Sequence, residues 1–148
     1  MKHYTIGALF SKDFKYVLLI EKQRPAWQKG KLNFPGGHIE DGETAVECIS
    51  REFEEETGLL IQSQDWKHIG KINNDQNYFV EFFATVYRQE YGLAKIKTDE
   101  VCDWYKCQTL PNNVITNLRW LVPFAINTFK QGDADTLEFG LFTYSYTK

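Results

Sequence analysis

An acidic segment with a marked start and a marked end constrains this chain more than any other feature. Thr44-Ala-Val-Glu47 has the form of a capping box at a helix N-terminus. Gly58 suits the left-handed conformation that ends many helices. Residues 40–56 hold eight acids against one basic residue, Arg51. The pattern predicts a helix over residues 43–58 that is either a solvated acidic surface or the site of a bound cation.

Three glutamates of this predicted helix share one face. Glu52, Glu55 and Glu56 are spaced i, i+3 and i+4, which places their side chains on one arc of the helix. The arc borders the apolar stripe of the helix, so we expect the three carboxylates to be partly buried. Helical spacing places Arg51 on another side. Carboxylate oxygens are ligands that Mg²⁺ prefers, so this face predicts a hard-cation site.

Alternating and β-branched segments predict a mixed sheet around this helix. A turn at Pro35-Gly36-Gly37 precedes the helix, and a second helix is predicted over 117–130, where Pro123 begins or kinks it. We expect an α/β (α+β) fold with helices on the sheet faces and a single domain over residues 1–148. The predicted strands are 3–10, 16–20, 66–72, 78–88, 101–105 and 136–146.

Composition argues against several classes of protein. No apolar run approaches the roughly 20 residues that span a bilayer, so no membrane association is expected. A net charge of -3 gives no reason to expect a nucleic acid polymer as partner. The three cysteines are odd in number and lack zinc-site spacing, so a reducing cytoplasm is the expected location.

The acidic segment resembles a known family motif. From Gly37, five residues lead to Glu43, seven more lead to Arg51, and the chain continues Glu-Phe-Glu-Glu-Glu-Thr-Gly58-Leu. This resembles the Nudix box, G-x5-E-x7-R-E-U-x-E-E-x-G-U, where U is a bulky apolar residue. Every fixed position matches, and Phe53 stands where the family usually has an aliphatic residue. The resemblance implies an α/β/α sandwich with a curved mixed sheet.

The resemblance also implies an activity, which is hydrolysis of a nucleoside diphosphate linked to another group with Mg²⁺ or Mn²⁺. Arg51 would orient the glutamates through ion pairs, and Glu43 would brace the helix and its flanking loops. In several Nudix branches an acid in a later loop is a further metal ligand or the base, and here Glu100 is the candidate, with Asp99 second and a solvated loop acid as the alternative. The implied metal ligands are Glu52, Glu55, Glu56, Glu100 and a backbone carbonyl of Gly36 or Gly37.

The segment before the box resembles that of the MutT-type nucleoside triphosphate hydrolases. That branch implies that Asn33 reads the base, with a turn-capping role as the alternative. Trp27 and Phe34 are candidates for stacking on the base or for the core. Arg24 and Lys29 are candidates for phosphate contacts or for solvated loop positions. The candidate substrate contacts in this segment are Arg24, Trp27, Lys29, Asn33 and Phe34.

A second substrate-binding segment is predicted at the start of the second helix. The stretch Leu110-Pro-Asn-Asn113 resembles the purine-binding segment of the same branch, whose oxidised-purine enzymes of animals have acids near Asn112 and Asn113. Asn117 and Trp120 are alternative contacts. These resemblances imply a small-molecule nucleoside triphosphate as substrate, with oxidised or modified purines among the candidates. The enzyme, a monomer or homodimer, would cut it to the monophosphate and pyrophosphate. The alternatives are an ADP-ribose or nucleotide-sugar pyrophosphatase and a non-catalytic nucleotide-sensing Nudix module. Such modules typically lose box glutamates, and all of them are present here.

Overall fold

Eight strands and two helices lie in the part of the chain that the structure, a computed structural model, describes, which is residues 2–74, 78–94, 101–130 and 142–143. The helices are α1 (Ala45–Thr57) and α2 (Leu118–Lys130). The strands are β1 (Lys2–Phe10), β2 (Tyr16–Glu21), β3 (Leu32–Asn33), β4 (Gly36–His38), β5 (Lys67–Asn74), β6 (Tyr78–Val86), β7 (Cys102–Lys106) and β8 (Phe142–Thr143).

The strands form one mixed sheet in the order β3-β2-β1-β6-β5-β8. Strand β1 is parallel to β6 and antiparallel to β2, and β5 is antiparallel to β6. Strand β4 pairs with β1 and β7 pairs with β2, outside that order. The sheet is mixed because the path from β1 to its parallel neighbour β6 crosses over through α1, as a parallel pairing requires.

A helix covers each face of the sheet. Ile49 and Phe53 of α1 pack with Leu9 of β1, while Leu121 of α2 packs on the other face with Phe10. Adjacent residues of β1 thus reach opposite cores, as the period-2 alternation of a strand requires. The expected α/β/α sandwich with a mixed sheet is confirmed.

The ends of α1 lie where the sequence predicts them. Thr44 accepts a hydrogen bond from the Glu47 backbone N–H and the Glu47 side chain accepts one from Thr44, which is a complete capping box. Gly58 follows with φ of 81°, in the left-handed region that favours glycine. The boundaries of α1 therefore follow from local sequence.

The remaining predicted elements differ in detail. Pro123 lies inside α2 and not at its start, and β7 is shifted by one residue from the predicted strand 101–105. Of the predicted last strand, only the two residues of β8 are described, and residues 75–77 of the predicted turn lie outside the described ranges. Within those ranges, no helix has both the length and the apolar character that crossing a membrane takes.

Candidate active site

The last turn of α1 is attached to the glycine strand β4. In β4, Gly36 and Gly37 pair with Ile6 and Thr5 of β1. The Gly36 backbone N–H donates to Glu56 Oε2 at 3.2 Å. Because β4 is bound to β1 on one side and to Glu56 on the other, the sheet fixes the position of this carboxylate.

Arg51 binds several carboxylates at once. Its Nε and Nη2 donate to the two Glu43 oxygens at 2.9 and 3.0 Å, and its Nη1 donates to Glu52 Oε1 at 2.9 Å. Its Nη1 also lies 3.4 Å from Glu55 Oε1. The expectation that Arg51 points away from the glutamate face is wrong, because its long side chain and planar fork of donors reach Glu43, Glu52 and Glu55 together.

The carboxylates differ in burial and in proton affinity. The Glu52 side chain is 16% exposed and that of Glu55 is 56% exposed, while Glu56 is 9% exposed as a residue. Burial raises the pKa of Glu52, although hydrogen bonding from Arg51 opposes the rise. The hydrogen bonds from Arg51 lower the pKa of Glu43. One guanidinium thus contacts three carboxylates, so it can balance the formal charge of only one of them.

Cys48 connects α1 to the glycine strand β4, a contact that the sequence did not predict. The buried Thr5 hydroxyl donates to Cys48 Sγ at 3.3 Å, and Cys48 Sγ lies 3.4 Å from the His38 carbonyl oxygen. Arg51 Nη2 donates to the same carbonyl at 3.3 Å. No sequence pattern signals this role, because Thr5 and Cys48 meet only through the packing of α1 on β1.

Asn33 lies at the sheet edge beside this site. It pairs with Ile20 across β2 and β3, and Ile20 pairs with Cys102 across β2 and β7. Burial, then the charges of Asp103 and Glu56, raise the pKa of Cys102 to about 12. Asn33 lies three residues before Gly36, whose backbone N–H donates to Glu56.

The amide of Asn33 has two bonding partners. Its Oδ1 accepts from the Phe34 backbone N–H at 2.8 Å, and its Nδ2 donates to Gln28 Oε1 at 3.3 Å. Gln28 ends a turn of 3-10 helix over Ala26–Gln28. The sequence reasoning missed Gln28, because glutamine in a polar loop gives no signal of its own.

The family follows from a comparison of the whole sequence with family models. The model described as the NUDIX domain matches residues 1–125. This chain belongs to the Nudix family. It is a Nudix hydrolase, an enzyme that acts on nucleotide-linked substrates.

Individual relatives agree with this assignment. The Nudix chain is 27% identical to the phosphatase NudJ of Escherichia coli K12, over 99% of this chain and 95% of that protein. The MutT NUDIX hydrolase of Burkholderia pseudomallei has a similar structure, with a TM-score of 0.69, 18% identity, and coverage of 82% of this chain and 95% of that one. The NUDIX domain of Shewanella oneidensis NrtR, solved with ADP-ribose, has a TM-score of 0.68 at 17% identity, and the match covers 86% of this chain and 87% of that one. These structures share the Nudix fold.

Nudix hydrolases generally use divalent metal ions. The carboxylates on the acidic face of α1 are suitable ligands for such an ion, because they offer oxygen atoms and formal negative charge. A Cβ atom built on Gly37 would lie 2.3 to 2.6 Å from the carboxylate atoms of Glu52, so glycine leaves the space that this carboxylate fills. The candidate ligand atoms, from Glu52, Glu55, Glu56 and the glycine carbonyls, are all oxygens, which suits Mg²⁺ or Mn²⁺. Among the described residues, no group of three His, Cys, Asp or Glu side chains is arranged to hold a metal ion as it stands. In this arrangement Arg51 binds Glu52 and Glu55 instead.

The candidate substrate residues outside the acidic face differ in burial. Phe34 is 1% exposed and its ring packs against Phe82 at 5.3 Å, which corrects the stacking expectation because a core ring offers no face to a ligand. Trp27 is 47% exposed, and Arg24, Lys29 and Asn112 are also exposed.

Asn113 and Asn117 have different surroundings. Asn113 Nδ2 donates to the Gly30 carbonyl at 3.1 Å, which joins the two loops predicted to bind substrate. Asn117 Oδ1 is buried and has no hydrogen-bond partner among the residues that the structure describes. A buried acceptor without a partner costs free energy, so Asn117 differs from Asn113, whose amide is hydrogen-bonded. Glu100 and Asp99 lie outside the described residues, so their roles stay predictions.

Proposed function

We propose that this Nudix hydrolase cleaves a nucleoside triphosphate, with water, to the nucleoside monophosphate and pyrophosphate. The observation that carries the proposal is the acidic face of α1. Glu56 is buried there and Glu52 is partly buried, and the Gly36 N–H and Arg51 hold their carboxylates in place. The resemblance of the segment before the Nudix box to the MutT-type nucleoside triphosphate hydrolases supports a triphosphate as substrate.

The divalent ion would be held by Glu52, Glu55, Glu56 and a carbonyl of Gly36 or Gly37. When bound, such an ion neutralises phosphate oxygens and lowers the pKa of water. The contribution of the protein is to position the carboxylates. Glu43 fixes the Arg51 guanidinium, and Arg51 in turn orients Glu52. We assign the acceptance of the proton from water to a carboxylate near the ion, with Glu100 as the candidate.

The substrate's other parts would meet the loops beside β3. Asn33 and Asn117 are the proposed base contacts. Asn112, in the loop before α2, is exposed to solvent and is a further candidate. Arg24 and Lys29 are exposed positive charges on the loop before β3, which suits contact with phosphate oxygens.

A second candidate function is hydrolysis of ADP-ribose or a nucleotide sugar. The NrtR domain of similar fold is solved with ADP-ribose, and this favours testing that ligand. The NudJ relative is named a phosphatase, so release of orthophosphate is a further product pattern to distinguish. A nucleotide-sensing module without catalysis is the candidate from another class.

The test is a hydrolysis panel with Mg²⁺ that covers normal and oxidised nucleoside triphosphates, ADP-ribose, nucleotide sugars and dinucleoside polyphosphates. We expect strongest turnover of a triphosphate, with pyrophosphate and monophosphate as products. Glu56→Gln is expected to lower turnover by about 100-fold or more, because it removes a buried anionic oxygen donor. Glu54→Gln, an exposed change on the same helix, is the matched control and should turn over normally.

Each other result changes the conclusion. Preferred cleavage of ADP-ribose moves the protein to the second candidate function. Orthophosphate as the first product overturns the pyrophosphate assignment. Absence of turnover for every compound, in a folded protein that binds Mn²⁺, supports the sensing module. Normal turnover by a folded Glu56→Gln protein contradicts the role of Glu56.

A further inference from the structure

The basic loop, residues 22–31, connects β2 to β3 and carries four Lys or Arg residues and no acid. Most of its residues are exposed, and its turn of 3-10 helix buries no side chain. Hydrogen bonds within the loop shape its backbone, such as the one from the Lys22 N–H to the Lys31 carbonyl at 2.8 Å. A surface segment that buries little apolar area opens at a low free-energy cost, so a contact from outside the loop has a large influence on its position.

Such a contact comes from the segment before α2. Asn113 Nδ2 donates to the Gly30 carbonyl oxygen at 3.1 Å, and the two residues are 83 positions apart in the chain. Because a carbonyl oxygen only accepts, the Asn113 atom beside it must be the amide nitrogen. Gly30 has φ of 79°, in the left-handed region that favours glycine, and its own N–H donates to the Lys22 carbonyl at 2.8 Å. Asn113 therefore binds the loop at its turn back toward β3.

The backbone of Asn113 is fixed to the sheet. Its carbonyl accepts from the Leu32 N–H at 2.9 Å, and the Ile115 N–H donates to the Leu32 carbonyl at 2.9 Å. Val114, between these two residues, is buried in the core beneath α2. Asn113 thus presents its amide from a rigid support, whereas the carbonyl that it binds belongs to an exposed loop.

We propose that Asn113 is a positioning residue that holds the basic loop in the conformation that meets the phosphates of the substrate. This rests on the proposed function, because it assumes that Lys29, the neighbour of Gly30, contacts phosphate oxygens. Without the bond the loop would sample other conformations, and the substrate would have to order it on binding. That cost raises KM and leaves the chemical step unchanged. Asn113 acts through the loop and does not itself touch the substrate.

The position requires an amide, which makes Asn113→Asp the decisive variant. Aspartate has nearly the same shape but places an acceptor against the Gly30 carbonyl oxygen. We expect hydrogen exchange of the Gly30 and Lys31 amides, followed by NMR, to become about 5-fold faster, the order of effect of one lost hydrogen bond. Asn112→Asp adds the same charge one residue earlier and should leave the exchange of these loop amides at the wild-type rate. Both asparagines are exposed, so the midpoint of urea denaturation should stay close to that of the wild type.

Kinetics with the preferred substrate give the second readout. Asn113→Asp should raise KM by about 5-fold with kcat unchanged, because only the ordering of the loop is affected. Asn113→Ala loses the donor without adding a charge, and its KM should rise by about 3-fold, which separates the loop effect from simple repulsion of phosphate. Asn127→Asp, the same change at an exposed position of α2, is the control and should keep both constants.

A double-mutant cycle tests whether Asn113 acts through Lys29. Lys29→Gln removes the charge next to Gly30, so the position of the loop matters less for phosphate binding in this background. Asn113→Ala should then raise KM by less than it does in the wild type, because residues that act through one another are not additive. Equal effects of Asn113→Ala in the two backgrounds would contradict the assigned route through Lys29.

The outcomes separate this inference from the proposed function. Wild-type exchange of the loop amides in Asn113→Asp overturns the inference, and so does an unchanged KM in a variant whose loop exchanges faster. If ADP-ribose is cleaved in place of triphosphates and Asn113→Asp raises its KM with kcat unchanged, the proposed function fails and the inference stands. If no compound is cleaved, the Kd of ATP with Mg²⁺, measured by calorimetry, replaces KM. A rise of about 5-fold in Asn113→Asp then supports the inference, and an unchanged Kd or no binding by the wild type overturns it.

Discussion

At Gly37 the absence of a side chain makes room for a carboxylate. A Cβ at this position would overlap the Glu52 carboxylate, and no backbone atom is among its three nearest neighbours. At Gly36, by contrast, a Cβ would lie 2.0 Å from the Thr5 carbonyl oxygen, which is backbone of β1. An alanine at Gly37 can therefore be accommodated by a shift of the Glu52 side chain, while one at Gly36 would disrupt the β1–β4 pairing.

Gly37→Ala should consequently impair the site more than the fold. We expect kcat/KM to fall by about 100-fold, since displacement of a catalytic group by 1 Å has effects of that size. Affinity for Mn²⁺, followed by calorimetry, should weaken in parallel. The free energy of unfolding, from urea denaturation, should change by less than about 1 kcal/mol, because only a flexible side chain moves.

Gly42→Ala is the matched control for this prediction. Gly42 has φ of 80° and nothing within 4 Å of a Cβ, so alanine there is strained and touches no site residue. It should cost about 1 kcal/mol of stability and leave Mn²⁺ affinity unchanged. Equal metal affinity in Gly37→Ala and the wild type would show that Glu52 is not a metal ligand.

Helical spacing predicted which glutamates share the acidic face, but it did not predict their ion pairs with Arg51. The i, i+3, i+4 spacing predicted that Glu52, Glu55 and Glu56 share a face, because helix geometry alone determines it. The contacts of Arg51 were predicted only through the family resemblance, since the rotamers of a long side chain depend on which partners lie nearby.

Among the elements, α1 is the one whose limits are encoded locally. The capping box at Thr44 and the left-handed Gly58 act within one helical turn of each end. This helix carries three of the candidate metal ligands, so the residues that start and stop it also set where those carboxylates lie along the sheet.

Removal of the Thr44 cap tests that encoding. Thr44→Ala should lower the free energy of unfolding by about 1 kcal/mol, because the N–H of Glu47 loses its acceptor. The melting temperature should fall by about 3 °C for a chain of this size. Thr44→Ser keeps the hydroxyl and should stay close to the wild type. Equal loss of stability in both variants would show that the methyl group, and not the cap, is responsible.

Strand pairing shows where prediction from local sequence stops. The predicted strands were mostly correct in position, yet nothing in β1 indicates that it lies parallel to β6 and also pairs with β4. Such contacts join residues far apart in the chain, and their free energy depends on the packing of both helices. The β4 pairing is the one that brings Gly36 to Glu56.

For the molecule as a whole, one ion cluster on the sheet links stability to pH. Glu81 of β6 has a side chain only 17% exposed and bonds to His68 and Lys71 of β5. The hydrogen bond from His68, with the charge of Lys71, lowers the pKa of Glu81 against the effect of burial. A carboxyl group with a lowered folded-state pKa stabilises the fold above its unfolded pKa and loses that contribution as the pH falls through the folded value.

Glu81→Gln should therefore destabilise the protein in a pH-dependent way. At pH 7 the loss should be about 1 kcal/mol, the order expected for a partly buried charged hydrogen bond. The difference from the wild type should shrink once the pH drops below about 4.5, near the unfolded value for glutamate. Urea denaturation at several pH values measures it.

Glu90→Gln is the control for Glu81, since the Glu90 side chain is 69% exposed and lies 3.8 Å from Arg88. Its effect should stay within about 0.5 kcal/mol at every pH. A constant difference between Glu81→Gln and the wild type from pH 7 to 3 would contradict the assigned linkage.

Three expectations about the whole molecule stay predictions: a single domain over residues 1–148, a monomer or homodimer, and a cytoplasmic location. Limited proteolysis addresses the first, and light scattering addresses the second.

Spacing along the chain was sufficient for α1, its two ends, its acidic face and the family to which the chain belongs. The helix features are determined within one or two helical turns, where covalent geometry leaves few alternatives, and the family follows from a motif of fixed spacing between Gly37 and Leu59. The position of Glu56 against Gly36, the Thr5–Cys48 contact under the site and the hydrogen bond between the Asn33 and Gln28 side chains all required the folded chain. Each depends on side chains or strands that meet only when the helices pack on the sheet, and the free energy of that packing is shared among residues that no local pattern connects.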